Sequence, residues 1–146
     1  MKKIFLILSV LVSTYAFCQN EATTNWWSLA RIKIQYKFSK EHNTYLYVPV
    51  MDERATALDG KDFTLKGYFL PFDMPGGEII ISENPYSSCF FCGGSGPESI
   101  VEVKLRTASS NFEVDEIITV RGKLKINGTD PDHSIFILED AEVVAR

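Results

Sequence analysis

The residues best suited to chemistry lie in one short segment, from Ser87 to Ser99, which holds two cysteines followed by glycines. Cys89 and Cys92 are separated by two residues, a spacing that lets two thiolates bind one Zn²⁺ or Cu⁺ ion. Glu98, later in the same segment, supplies a carboxylate as a further possible ligand. The segment therefore predicts a zinc or copper site with Cys89, Cys92 and Glu98 as ligands. Because zinc usually takes four ligands, His42, His133, Asp140 or a second subunit are further candidates.

The N-terminus has the pattern of an export signal. Lys2 and Lys3 precede an apolar run over residues 4–12, which is typical of a secretory signal peptide and short for a membrane span. Ala16 and Cys18 provide the small residues for cleavage before Gln19. We therefore expect a signal peptide over residues 1–18 and a product in the periplasm or outside the cell. The alternative is a lipoprotein acylated at Cys18, which the bulky Phe17 disfavours.

Two other interpretations of the cysteine pair follow from export. In an oxidising compartment Cys89 and Cys92 can form a disulfide, although so short a loop constrains little unfolded-state entropy. They can also exchange disulfides, but redox cysteines normally open a helix whose dipole lowers the thiol pKa. The glycines and Pro97 that follow make a poor helix start. We therefore predict a protein that is not an enzyme, with redox activity as the remaining enzymatic alternative.

Composition and motifs exclude several functional classes. The chain has 146 residues and a net charge of −4, and removing residues 1–18 takes away two lysines and no acid, which leaves −6. Because affinity for a phosphate backbone comes mainly from Lys and Arg, we expect no nucleic-acid partner. The glycine run lacks the Gly-Lys-Ser/Thr ending of a phosphate loop. Only two histidines are present, too few for most hydrolytic sites.

The elements that must position the cysteine segment are predicted to be β-strands. Residues 31–38 alternate apolar and polar side chains, as a half-buried strand does, and Tyr45 to Val48 form a shorter candidate. Further strands are predicted over residues 63–70, 78–82, 100–105, 117–126 and 134–144, separated by proline and glycine turns. Residues 51–60 are expected to form a loop with one helical turn. No segment shows a sustained helical period.

Two glycines indicate how these strands are arranged. Phe63 to Gly67 repeats the pattern of Ile118 to Gly122, and each glycine falls in mid-strand, where it marks a sharp bend or a close backbone contact. Five strands with bent first and fourth members describe an OB-type barrel. We therefore predict an all-β fold, a small OB-like five-stranded barrel with an extra N-terminal strand, as one domain over residues 24–146. The alternative is a β-sandwich.

Three stretches also carry a resemblance. They are Leu58 to Tyr68, the segment CFFCGGSGPES from Cys89 to Ser99, and Val120 to Gly122 together with Leu138 to Ala141. From about Trp26 to Val144 the chain resembles a family of small exported bacterial proteins with an OB-like barrel, of uncharacterised function. The resemblance implies the fold and export and no activity. Our sequence-based hypothesis is a cell-envelope binding module whose Cys89–Ser99 loop binds a metal ion or an envelope partner protein.

Overall fold

The computed structural model describes residues 25–74, 77–107 and 111–146, and within them five strands close into a barrel. The predicted signal peptide lies outside the described residues. The barrel order is β3-β4-β5-β7-β6, with β6 pairing back onto β3 and with β5 and β7 parallel. This confirms the predicted barrel and excludes the sandwich. The barrel strands are β3 (Asp62–Leu70), β4 (Ile79–Ser82), β5 (Ile100–Leu105), β6 (Ile117–Ile126) and β7 (Phe136–Ala145).

Alternation along the long strands fills the barrel interior. On β6 every second residue from Ile118 to Ile126 is buried, and Phe63 and Leu65 on β3 point to the same core. Gly67 and Gly122 occupy inward positions where a Cβ would lie 2.6 Å from Ser82 O and 2.8 Å from Glu139 O, respectively. The pairing of β6 with β7 also shifts register around Gly122. Both glycines therefore mark close backbone contacts, as their mid-strand positions predict.

The extra N-terminal strand that we predicted is a hairpin of two strands, β1 (Ile34–Ser39) and β2 (Thr44–Pro49), in a sheet of its own. Tyr36 pairs with Tyr47 and Phe38 with Tyr45, so four aromatic side chains share one face of the hairpin. All four are at least 47% exposed. The face that was expected to be half-buried is therefore largely open to solvent.

Two short helices complete the described structure. In α1 (Trp26–Ala30) the Asn25 side chain accepts a hydrogen bond from the Ser28 amide, and the indole Nε1 of Trp26 donates to Lys66 O at 2.8 Å. The second helix, α2 (Glu53–Leu58), is the helical turn predicted for that loop, capped by Asp52. No helix in the described ranges has the length and apolar character needed to span a membrane.

Candidate functional site

The cysteine loop connects β4 to β5 and is built from tight turns. It contains three 3₁₀ helices: Tyr86–Ser88, Phe90–Cys92 and Pro97–Ser99. Gly93 ends the second helix with φ at +76°, a left-handed conformation that glycine adopts without steric cost. The Gly94 amide donates to Cys89 O at 3.1 Å. Glycine therefore lets the chain turn back over the first cysteine.

The two cysteines differ in their environments although their sulfurs are close. The Sγ atoms are 3.9 Å apart and both residues are free thiols. Cys89 is fully buried in an outer apolar cluster with Leu70, Ile80 and Ile100. Cys92 is exposed, and its thiol lies 3.2 Å from Tyr86 O. The pKa of the Cys92 thiol is raised, first by its hydrogen bond with Cys89 and then by partial desolvation and the nearby Cys89 charge.

The structure does not gather the predicted metal ligands into one set. Within residues 25–74, 77–107 and 111–146, no three His, Cys, Asp or Glu side chains converge as a metal site. The Glu98 carboxylate folds back over Gly96, where it fills the space that a side chain at position 96 would need. Among the other candidates, His42 is exposed at the hairpin turn and Asp140 pairs with Arg106 at 2.8 Å. Only Cys89 and Cys92 lie together.

His133 belongs to a polar pair with a buried partner, Glu102, which the sequence analysis missed. Its Nδ1 lies 2.8 Å from Oε1 of Glu102, whose side chain is fully buried. The other carboxylate oxygen accepts the Ser134 amide at 3.0 Å, and Lys104 Nζ lies 3.7 Å from Oε1. On the far side of the ring, His133 Nε2 is 4.0 Å from Asp130 Oδ2. Alternation along β5 predicts Glu102 on a solvent face, which is wrong because the β6–β7 loop covers that face.

A groove of about 380 Å³ opens beside this pair. Three segments form its walls: residues 45–48 of the hairpin, Phe90, Phe91 and Pro97 of the cysteine loop, and residues 127–135 of the β6–β7 loop. Met74 and Ile100 complete the lining. The groove is thus the place where the hairpin, the cysteine loop and the His133 loop meet.

The groove lies along a continuous row of aromatic rings. Successive ring centroids are 4.2 to 5.9 Å apart. Most of these rings are exposed. Phe90 and Phe91, which lie between the two cysteines in the sequence, both line the groove. We call this set the aromatic row: Phe38, Tyr45, Tyr36, Tyr47, Phe90, Phe91, Phe72 and Tyr86.

A single buried amide holds the third wall of the groove. The Asn127 side chain is 8% exposed, and its Nδ2 donates to the carbonyls of Asp130, His133 and Ser134 at 2.7 to 3.3 Å. Its Oδ1 accepts the amides of Thr129 and Asp130. One side chain therefore organises the loop that presents His133 and Asp130.

Comparisons with known proteins add a distant structural likeness. No family model matches the chain, and no curated protein matches it. Among solved structures, the chain is similar to the crystal structure of a DUF3299 family protein from Pseudomonas aeruginosa, with a TM-score of 0.49 and 16% sequence identity. The match covers 84% of this chain and 95% of the other.

Proposed function

We propose that this protein is a non-enzymatic binding module of the cell envelope, which binds a segment of an envelope partner protein in the groove beside the cysteine loop. The observation that carries the proposal is the aromatic row. Tyr36, Tyr45, Tyr47 and Phe91 are 47% to 62% exposed and lie in one chain of ring contacts. Soluble proteins seldom expose contiguous apolar patches of this kind, and aromatic residues are enriched in protein interfaces.

The geometry of the thiols favours binding over redox catalysis. The nucleophile in thiol–disulfide exchange is the thiolate, so a redox-active cysteine needs a lowered pKa. In this loop the exposed thiol, Cys92, has a raised pKa, and Cys89 is buried among aliphatic side chains.

Export through the predicted signal peptide at residues 1–18 is part of the proposal. The intact mass of the exported protein tests this part, and it should correspond to a chain that starts at Gln19. A diacylglyceryl group on Cys18 would contradict cleavage before Gln19.

Site-directed photo-crosslinking in the native host tests the binding surface. A photoreactive phenylalanine analogue replaces Phe91, or Val144 as a control at the far end of β7. Val144 is also apolar and is 40% exposed. We expect one discrete adduct with an envelope protein from position 91 and none from position 144. Tyr47→Ala should abolish the adduct without changing the melting temperature. Equal adducts from both positions, or an adduct that survives Tyr47→Ala, would contradict the proposal.

A metal ion is a second candidate ligand, favoured by the sulfur separation. Two sulfurs that each lie about 2.3 Å from a tetrahedral zinc ion are about 3.8 Å apart, and the observed separation is 3.9 Å. Two thiolates leave zinc short of its usual four ligands, so a second copy of the chain would supply the same pair. Because Cys89 is buried, the loop would have to open for the ion to enter.

Titration of Zn²⁺ and Cu⁺ into the reduced protein separates the two candidates. The metal hypothesis predicts binding tighter than about micromolar, roughly 8 kcal/mol, with one ion per two chains and proton release as the thiols ionise. Cys89→Ser should abolish binding and leave the barrel folded. If neither ion binds more tightly than this, the metal hypothesis is wrong and the partner proposal stands alone.

A further inference from the structure

We infer that the groove takes a positively charged peptide segment, in which an arginine or lysine side chain lies between the β6–β7 loop and the hairpin tyrosines. The inference rests on the proposed function and names the chemistry of the partner. Its first basis is the charge of the lining. The groove-lining residues include Asp130 and Asp132 and no lysine or arginine.

The carboxylate of Asp130 is held in place beside the groove. Its Oδ1 accepts the Asp132 amide at 3.0 Å, and its Oδ2 faces His133 Nε2 at 4.0 Å. The Asp130 carbonyl is fixed by Asn127. Behind His133 lies the fully buried Glu102 carboxylate. Glu102 is already paired with His133 and Lys104, so the carboxylates that line the groove itself are Asp130 and Asp132, and this wall favours a cationic ligand.

The opposite wall provides a complementary surface for a cation. Tyr45 and Tyr47 line the groove from β2 and are 56% and 47% exposed. The face of an aromatic ring attracts an ammonium or guanidinium group, and the planar guanidinium of arginine also stacks on such rings. The aliphatic stem of Arg or Lys can lie along Phe90 and Phe91. A groove with acids on one wall and tyrosines on the other therefore fits a basic side chain better than an acidic or purely apolar one.

The same charges separate this ligand from a nucleic acid. Exposed aromatic rings also stack nucleic-acid bases, but such sites pair the rings with a positive groove that follows the phosphates. Here the lining is acidic and the chain has a net charge of −4. Phosphates would be repelled at Asp130 and Asp132, so the aromatic row points to a protein ligand.

A matched pair of labelled peptides tests the inference. One is an octapeptide of alternating arginine and leucine, and in the other each arginine is replaced by citrulline, which keeps the shape and removes the charge. Fluorescence anisotropy with the full exported chain measures both affinities. We expect the arginine peptide to bind about tenfold more tightly, the factor that one partly desolvated cation–π contact or ion pair contributes. Its affinity should fall as salt rises.

Two double variants distinguish the groove from the overall negative charge. Asp130→Asn with Asp132→Asn removes two charges from the groove, whereas Glu139→Gln with Glu142→Gln removes two charges from β7. We expect the first pair to weaken the arginine peptide at least fivefold and the second to change it less than twofold. The Asn side chain at 130 keeps the oxygen that accepts the Asp132 amide, so the loop should stay folded.

Equal affinity for the arginine and citrulline peptides, or equal losses in both double variants, would overturn the inference. The proposed function would survive that result if photo-crosslinking at position 91 still gave a discrete adduct sensitive to Tyr47→Ala. If the arginine peptide binds as expected and no adduct forms in the host, the ligand chemistry is right and the envelope partner is wrong. The two experiments therefore fail independently.

Discussion

The Nδ1 atom of His133 lies 2.8 Å from the fully buried carboxylate of Glu102, on the outer side of a barrel strand. An acidic side chain at 0% exposure is rare unless it is paired and hydrogen-bonded. Here the carboxylate also accepts the Ser134 amide. The pair thus links β5 to the loop that forms one wall of the groove. We therefore expect this contact to affect both the stability of the fold and ligand binding.

Replacing Glu102 should therefore destabilise the protein and disorder the loop. In Glu102→Ala the Ser134 amide and the His133 ring both lose their hydrogen-bond partner, and leaving such groups unsatisfied costs about 1–3 kcal/mol. Glu102→Gln keeps one acceptor oxygen and should cost less. Urea unfolding of both variants measures the difference. A loss below about 0.5 kcal/mol for Glu102→Ala, the usual surface range, would show that the pair is not structural.

Gly67 should be intolerant of any side chain. A Cβ at this position would lie 2.6 Å from Ser82 O and 2.9 Å from the Trp26 ring, so Gly67→Val should lower the free energy of unfolding by more than about 2 kcal/mol through overpacking. Gly128→Val is the matched control, because the nearest atom to a Cβ there is 3.6 Å away. Thermal melts of the two variants should differ clearly. Similar melting temperatures would mean that β3 can move away from Ser82.

Periodicity in the sequence is sufficient to predict the barrel strands but not what covers their outer faces. Alternation on β6 and β3 identifies the residues that face the barrel interior. The glycines at 67 and 122 identify close backbone contacts, so both features could be predicted. Glu102 could not, because alternation does not reveal that a loop more than 20 residues later folds over it. Asn127 holds that loop, and an asparagine in a predicted turn is the only signal that the sequence offered.

The hairpin shows a second limit of sequence periodicity, because alternation does not reveal whether an aromatic face is buried or exposed. Tyr36 and Phe38 alternate with polar residues as in a strand that packs on a core, and β-strand was the right prediction. Their exposure of 62% and 50% shows that this face of the hairpin, which forms a sheet separate from the barrel, is not packed into a core. Helix α1 was missed because five residues are too few to show a helical period. The periodicity of a single sequence therefore cannot distinguish aromatic side chains in a core from aromatic side chains on an exposed surface.

The Cys92 thiol should react slowly at neutral pH despite its exposure. Its pKa is raised first by the hydrogen bond with Cys89, so the thiolate fraction at a given pH is below that of an unperturbed cysteine. Cys89→Ala removes the hydrogen bond and the neighbouring charge, and alkylation of Cys92 by iodoacetamide at pH 7.5 should become faster. Mass spectrometry gives the rates. An unchanged or slower rate in the variant would contradict this assignment.

Acid sensitivity should depend in part on Arg106. The pKa of the Asp140 carboxyl is lowered from its usual value by its hydrogen bonds to the Arg106 guanidinium and by the charge of that group. Because the folded-state pKa is the lower one, this contribution is fully present above the unfolded pKa and is lost as pH falls through the folded pKa. Between about pH 5 and pH 3, the melting temperature should fall less in Arg106→Gln than in the wild type. Parallel pH profiles would contradict the prediction.

Oxidation of the cysteine pair should reshape the groove. Diamide takes two protons and two electrons from the Cys89 and Cys92 thiols, which leaves a disulfide and the reduced hydrazine. The Sγ atoms must then approach from 3.9 Å to about 2.05 Å, and the helix Phe90–Cys92 between them has to move. Phe90 and Phe91 both line the groove, and Phe90 contacts Tyr47 at a centroid distance of 5.9 Å.

We therefore expect oxidation to shift the ring NMR signals of Tyr47 and Tyr86, at the two sides of the moving helix, while Tyr68 on β3 stays unchanged. A mass decrease of two hydrogens confirms the disulfide in the same sample. The Cys89→Ser, Cys92→Ser double variant treated with diamide is the control and should show no shifts. If the disulfide forms and the Tyr47 and Tyr86 signals stay in place, the loop absorbs the change without moving Phe90 or Phe91. In that case the state of the thiols is independent of ligand binding, and the reduced and oxidised proteins should bind the arginine peptide equally.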